Sequence, residues 1–351
     1  MDNKNQLGMH FFAVLLGVAV VLLSLVISLF VIMSNGADNT PITDNPTGNN
    51  NNNPKDPPSV NVGLNNSPLF PTNPSRTSYI IGKASDVKQI DDDNEIRSKY
   101  TILVDLSSYE SIAEKGADEK IYPASMTKVM TLIVACERVT DLKEKLTVTE
   151  ELVNFAADNE ASGAGLKAGD SYTVEDHLYL IAYKSDTVSA HLIARHIAGS
   201  EEAFVELMNQ KAAELGLTKT RFANCTGLYD DNNYTTCREM AAIMAYALDN
   251  EMVYKCLSSY TGRKLTVGGD QCTFYAGWYS VRFDDNPKFT GGKIIAGKTG
   301  WIDEANTLVT CAEINGKRYI NVIVSRTQIG GWDPTNATSA KEVKHIYETY
   351  S

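Results

Sequence analysis

Strand-forming segments stand at both ends of the region that follows residue 79, and between them the chain is helical. "YTILVDL" (Tyr100 to Leu106) is apolar and β-branched enough for a buried strand, and polar "SSYESIAEKGADEK" follows it as a hairpin return and loop. Near the far end, "TLVTCAEINGKRYINVIVSRT" reads as two strands around Asn315-Gly316, a pair that tolerates the positive φ of a tight hairpin. In the middle, "VEDHLYLIAYKSDTVSAHLIARHIAG" and "EEAFVELMNQKAAELG" repeat apolar residues at spacings of three and four, with Gly199 and Gly216 as stops. "REMAAIMAYALDN" adds a helix, and "TSAKEVKHIYETY" is the last one. This order predicts an α/β (α+β) body: strands from both ends share an antiparallel sheet flanked by helices, with a helical lobe and a cleft between them.

The body is preceded by two segments of different character. Phe11 to Met33 is a run of 23 residues without a charge, and a bilayer core takes roughly 20 apolar residues as a helix. An uncleaved anchor at 11–33 is therefore expected, because a signal peptide's apolar region usually spans only about 7–15 residues. "SNGA" beyond the run keeps cleavage open as the alternative. With only Lys4 and the amino terminus on the short side, residues 1–10 are expected in the cytoplasm and the body outside the cell. Residues 34–78, rich in Asn, Pro, Gly and Thr, have too few apolar side chains for a core and read as a disordered tether. Residues 79–351 then carry the fold.

Charge and cysteine content narrow the partners. Thirty-two basic against 43 acidic residues leave a net charge of −11, which argues against nucleic acid, whose phosphates bind clustered Lys and Arg. None of the six cysteines forms a C-x-x-C pair or a metal-like spacing with histidine, so no metal or cofactor is expected. Cys225 with Cys237, or Cys256 with Cys272, are close enough in sequence to pair outside the cell, but a domain with its own core favours buried free thiols. His177, His191 and His196 lie in helical sequence without an H-E-x-x-H pattern and read as structural.

The chemistry concentrates in "YPASMTKVMTLIVACE", where Ser125 falls in the first turn of a buried helix and Lys128 one turn along the same face. A serine hydroxyl needs a base within hydrogen-bond reach, and a lysine serves when desolvation lowers its pKa. The helix start also favours developing negative charge. Alone, such a pair is far more often a polar cap and a surface lysine than a catalytic pair. Two further stretches add weight. "IIAGKTGWIDEAN" places Lys298, Thr299 and Gly300 at the end of a strand-like run, where a cation, a hydroxyl and a missing side chain suit a substrate carboxylate and backbone. "YKSDT" puts Ser185 in a break between two helical stretches, either as a cleft residue or as the cap of the second helix.

Ser125-Met126-Thr127-Lys128, Ser185-Asp186-Thr187 and Lys298-Thr299-Gly300 resemble, in order, the S-x-x-K, S-x-N and K-T-G motifs of the penicillin-recognising serine enzymes. From about Tyr100 to Thr327 the chain is similar to the low-molecular-mass D-alanyl-D-alanine carboxypeptidases. That resemblance implies a β-lactamase/transpeptidase-like fold and a peptidoglycan stem peptide ending in D-Ala-D-Ala as substrate, with β-lactams as covalent inhibitors. It further implies Ser125 as nucleophile, Lys128 as general base, and Ser185 as proton relay to the leaving amine. Lys298 and Thr299 would grip the terminal carboxylate beside Gly300, and the backbone N–H groups of Ser125 and Trp301 would form the oxyanion hole. Arg282 is a further candidate partner for the carboxylate, with a surface role as its alternative.

The second motif departs from the family pattern, since Thr187 stands where asparagine is usual. A register shifted by two would put Tyr183 first and Ser185 third, but the unshifted one keeps the following "HIAGS" in phase. Threonine offers one hydroxyl in place of an amide's two donors and an acceptor, which weakens substrate positioning. Two other readings stay open. One is a serine β-lactamase, although no E-x-x-L-N stretch lies between Ser185 and Lys298. The other is a catalytically silent homologue that binds wall peptides or a partner protein.

Overall fold

The computed structural model describes residues 76–91, 95–278, 283, 286–302, 305–326 and 337–351. The expected anchor, the tether before residue 76, and Arg282 lie outside the described residues.

Seven strands form the main sheet: β1 (Gly82–Gln89), β2 (Ser98–Asp105), β3 (Glu110–Lys115), β8 (Lys288–Phe289), β9 (Gly292–Ile302), β10 (Ala305–Ile314) and β11 (Lys317–Arg326), in the spatial order β1-β3-β2-β11-β10-β9-β8. As the sequence predicts, its two ends meet in the middle, where β2 pairs antiparallel with β11 and Val104 faces Ile320. The hairpin between β10 and β11 closes on Asn315 (φ 51°) and Gly316 (φ 80°), so both central residues take the left-handed backbone that a tight two-residue turn demands. One pairing differs from the expected antiparallel sheet, because β1 joins β3 in parallel. That strand enters from the segment just before it, beyond the reach of a hairpin reading.

In β2, Thr101, Ile102, Leu103 and Val104 are all fully buried. Neighbouring residues of a strand point to opposite faces, so both faces of the sheet are covered. The helices Cys237–Leu248 and Ala337–Tyr350 supply that cover, each packing on β2, β10 and β11. These and six further helices complete the set among the described residues: α1 (Thr127–Cys136), α2 (Glu150–Asp158), α3 (Val174–Tyr183), α4 (Thr187–Ala198), α5 (Glu201–Glu214), α6 (Cys237–Leu248), α7 (Glu251–Ser258) and α8 (Ala337–Tyr350). Two small antiparallel pairs, β4 (Lys145–Thr147) with β5 (Ser171–Thr173) and β6 (Arg263–Val267) with β7 (Asp270–Phe274), flank the helical part.

Helix α1 is the pivot. All ten of its residues are buried, and it contacts α3, α4, α5, α6 and α7. A helix apolar all round is a core helix, which makes Lys128 inside it a group held away from water. Helices α3 and α4 break at Lys184-Ser185-Asp186, and α4 ends on Gly199 in the left-handed conformation (φ 82°), both as read from the sequence. All six cysteines are free thiols, five of them buried.

Candidate active site

The chain reaches α1 through a single 3-10 turn, Ala124–Met126. Ala124 is held at φ 49°, a region that costs a non-glycine residue roughly 1–2 kcal/mol, and its surroundings explain how it persists. Thr307 Oγ1 on β10 donates to the Pro123 carbonyl at 3.1 Å. Gly227 lies so close that a side chain there would run into the Ala124 carbonyl. On β9, a Cβ at Gly300 would stand 3.0 Å from the Ser125 backbone nitrogen and would also collide with Thr307. Two glycines thus let a loop and a strand close on the turn that carries Ser125.

Lys128 Nζ donates to Ser125 Oγ at 3.3 Å and to the Thr226 carbonyl at 2.5 Å. The lysine is 1% exposed. Burial pulls its ammonium down to about 8, and the nearby Cys225 and Asp186 offset only part of that. The loop that supplies the carbonyl is itself built on Asn224, whose Oδ1 accepts from the Thr226 and Gly227 backbone N–H groups at 3.2 and 2.6 Å. Thr131 Oγ1, one turn beyond Lys128, donates to the Cys225 carbonyl at 2.7 Å.

The second and third motifs meet beside this pair. Lys298 on β9 donates to Ser185 Oγ at 2.9 Å and to the Thr299 carbonyl at 2.8 Å, and it too is 1% exposed. Ser185 sits in the α3–α4 break at φ 54°. It does not cap α4: Asp186 does, its carboxylate accepting from Ser189 N and Ala164 N, each at 2.6 Å. The shifted register is thereby disfavoured, since Tyr183 ends α3 as a buried side chain whose hydroxyl donates to the Thr261 carbonyl. Thr299 and Gly300 follow Lys298 along β9, paired with Leu308 and Thr307. Trp301, next on the strand, holds its indole half exposed at 51%.

Thr187 is placed differently from an open cleft residue. It opens α4 and is 1% exposed, its hydroxyl is buried without a hydrogen-bond partner, and its N–H donates to the Ser162 carbonyl at 3.0 Å. The segment from Ser162 to Ala164 is joined to it by that bond and tied down by Asp186. Asp186, Asn224, Thr226, Gly227 and Thr131 are the supporting residues that motif reading missed. Only "NCTGL" carried a local signal, an Asn and a Gly three residues apart as in a side-chain-braced turn. His177 pairs with Ser189 in the core (2.9 Å), in keeping with a structural histidine. His191 is otherwise: although no sequence spacing suggests a metal, the fold brings ligand atoms of His191, Glu201 and Cys225 within 4.8 Å of one another.

A hydroxyl beside a desolvated amine at a helix start, with a buried cation and a second hydroxyl at its flank, is the equipment of a serine acyl-transfer enzyme. Residues 83–327 match the family described as D-alanyl-D-alanine carboxypeptidase, and the chain belongs to that family. It is 35% identical over 165 residues to D-alanyl-D-alanine carboxypeptidase DacF of Bacillus subtilis (strain 168), covering 47% of this chain and 41% of that relative. It is 30% identical over 231 residues to the D-alanyl-D-alanine carboxypeptidase of Streptomyces sp. (strain K15), covering 61% of this chain and 76% of the relative. The match thus spans about two fifths of the DacF length. Among solved structures, the Streptomyces K15 DD-transpeptidase superposes with a TM-score of 0.62 at 23% identity, over 74% of this chain and 100% of that one. A D-alanyl-D-alanine carboxypeptidase from Mycobacterium tuberculosis gives 0.61 at 22%, over 76% and 94%. Both likenesses establish the penicillin-binding fold.

Proposed function

We propose that this chain is a membrane-anchored, serine-type D-alanyl-D-alanine carboxypeptidase that removes the terminal D-Ala from peptidoglycan stem peptides. The observation that carries the reading is the 3.3 Å approach of Lys128 Nζ, from a helix buried on every side, to Ser125 Oγ on the turn that leads into it. With its pKa near 8, about a tenth of Lys128 is neutral at pH 7, and that form accepts the Ser125 proton as Oγ attacks the penultimate D-Ala carbonyl. The C–O bond forms and the peptide C–N bond breaks. The departing amine takes its proton through Ser185, and an ester on Ser125 remains for water to hydrolyse, which returns the serine.

Lys298 and Thr299 hold the terminal carboxylate of the substrate, a cation and a hydroxyl side by side on β9. The backbone N–H groups of Ser125 and Trp301 receive the oxyanion, and Gly300 leaves that space open. Thr187, third in its motif, offers one hydroxyl to the substrate, which, buried as it is, it reaches only after a local rearrangement. Anchoring rests on the uncharged run Phe11–Met33, and a body outside the cell on Lys4 and the amino terminus at its short side. Among the described residues, no helix is long and apolar enough to cross a membrane.

The test is the intact mass of the full chain in detergent after incubation with benzylpenicillin, with the drug followed in the same tube. One adduct per chain, absent in Ser125→Ala, is expected, together with D-alanine release from a peptide ending in D-Ala-D-Ala. Drug consumed without a lasting adduct would make the protein a β-lactamase. Drug left untouched would favour a silent, peptide-binding cleft. An adduct that survives Ser125→Ala would remove Ser125 as nucleophile.

A further inference from the structure

Behind Lys128 lies a cluster that acyl transfer does not use. His191 is on α4, Glu201 is the first residue of α5, and Cys225 belongs to the loop that supports the lysine. His191 Nδ1 stands 3.3 Å from Glu201 Oε2, and Glu201 Oε1 accepts from the Cys225 backbone N–H at 3.0 Å. Cys225 is fully buried and His191 is 3% exposed. Both ring nitrogens of His191 are buried without a hydrogen-bond partner. Buried polar atoms are normally hydrogen-bonded, so an imidazole that reaches a carboxylate only at ion-pair distance and makes no hydrogen bond asks for an explanation.

We infer that His191, Glu201 and Cys225 form a binding site for a divalent cation of borderline softness, Zn²⁺ by its donor set. One imidazole nitrogen, one carboxylate oxygen and one sulfur suit zinc, whereas the thiolate disfavours Ca²⁺ and Mg²⁺, which take oxygen ligands. Tetrahedral zinc with bonds of about 2.0–2.3 Å sets its ligand atoms about 3.3–3.8 Å apart. The His191–Glu201 pair already has that separation. The limit of 4.8 Å on the other pairs leaves at most about 1.5 Å to close, within the range of small side-chain rotations. The Glu201 side chain is 24% exposed, so the cluster is in contact with solvent on its carboxylate side. On binding, the Cys225 S–H bond is broken, its proton goes to solvent, and the thiolate pair of electrons forms the S–Zn bond.

The site would clamp what holds the base in place. Cys225 and Thr226 contribute the two carbonyls that accept from Thr131 and Lys128, so a cation joining that loop to α4 and α5 would stiffen the support beneath Lys128. The ligands are 10 and 24 residues apart (191, 201, 225), which no short metal motif would reveal.

The inference stands apart from the carboxypeptidase reading and is tested without an activity assay. The full chain in detergent, stripped with a chelator, is titrated with Co²⁺ and followed by absorption. One equivalent should bind with a thiolate-to-cobalt charge-transfer band, be displaced by Zn²⁺, and keep that band in Cys272→Ser. Cys225→Ser should lose the band, and His191→Ala should raise the Co²⁺ dissociation constant at least tenfold. X-ray absorption at the zinc edge of the unmodified, zinc-loaded chain reads the ligands directly and needs no variant to fold: one sulfur with nitrogen and oxygen neighbours is expected. No stoichiometric binding, a sulfur-free zinc shell, or a band that persists in folded Cys225→Ser would overturn the site.

Discussion

Lys298 and Ser185, from a strand of the sheet and a break between two helices, meet across 2.9 Å with the lysine almost wholly buried. The hydrogen bond ties the third motif to the second. Ser185→Ala removes one partner of a buried cation and the proposed relay. Acylation by benzylpenicillin should slow by about 10²-fold or more, while circular dichroism stays unchanged. An unaltered acylation rate would take Ser185 out of the reaction.

The depressed pKa of Lys128 has two readouts. Its neutral fraction grows as pH climbs toward about 8, so the acylation rate should rise about tenfold from pH 6 to 7 and level off above pH 9. A flat profile would reject Lys128 as the base. The stability sign follows from linkage. The folded pKa lies below the 10.5 of a free lysine side chain, so between about pH 8 and 10.5 the unfolded chain binds more protons, and this residue makes stability rise with pH in that window. Lys128→Met should remove that slope in urea unfolding series measured across it.

Gly227 and Gly316 share φ 80° but not their surroundings. Nothing lies within 4 Å of a Cβ built at Gly316, whereas one at Gly227 meets the Ala124 carbonyl. Gly316→Ala should therefore cost only the left-handed strain, roughly 1–2 kcal/mol. Gly227→Ala should cost about 3 kcal/mol or more, and should also lose penicillin labelling because it displaces the Ser125 turn. Urea midpoints and adduct mass on the two variants check this; equal losses would show that the close approach at Gly227 has no energetic consequence.

Thr187 separates a substrate contact from a packing residue. Thr187→Val deletes an unpartnered buried hydroxyl and keeps the shape, so stability should hold or rise by about 1 kcal/mol. If a local rearrangement lets the hydroxyl meet substrate, acylation should fall several-fold in the same variant, and Thr187→Asn should preserve or raise activity. Wild-type kinetics in Thr187→Val would make this residue part of the wall alone.

Much of the candidate site was legible because its logic is local. A stretch from Val129 to Cys136 that is apolar but for Thr131 announces a core helix, and a serine and lysine three apart at its start must share a face. Asn315-Gly316 specifies a hairpin, and a break between two periodic segments isolates Ser185. Each follows from neighbouring residues restricting one another's backbone angles and from the period at which apolar side chains recur. Tertiary structure decided what depends on partners distant in sequence. It set the parallel seat of β1, the Thr226 carbonyl on Lys128, the sealing of Thr187, and the gathering of His191, Glu201 and Cys225. A periodic pattern tells which face of an element is buried but not what it is buried against. The pKa of a lysine, the freedom of a hydroxyl and the identity of a metal site are all set by those neighbours.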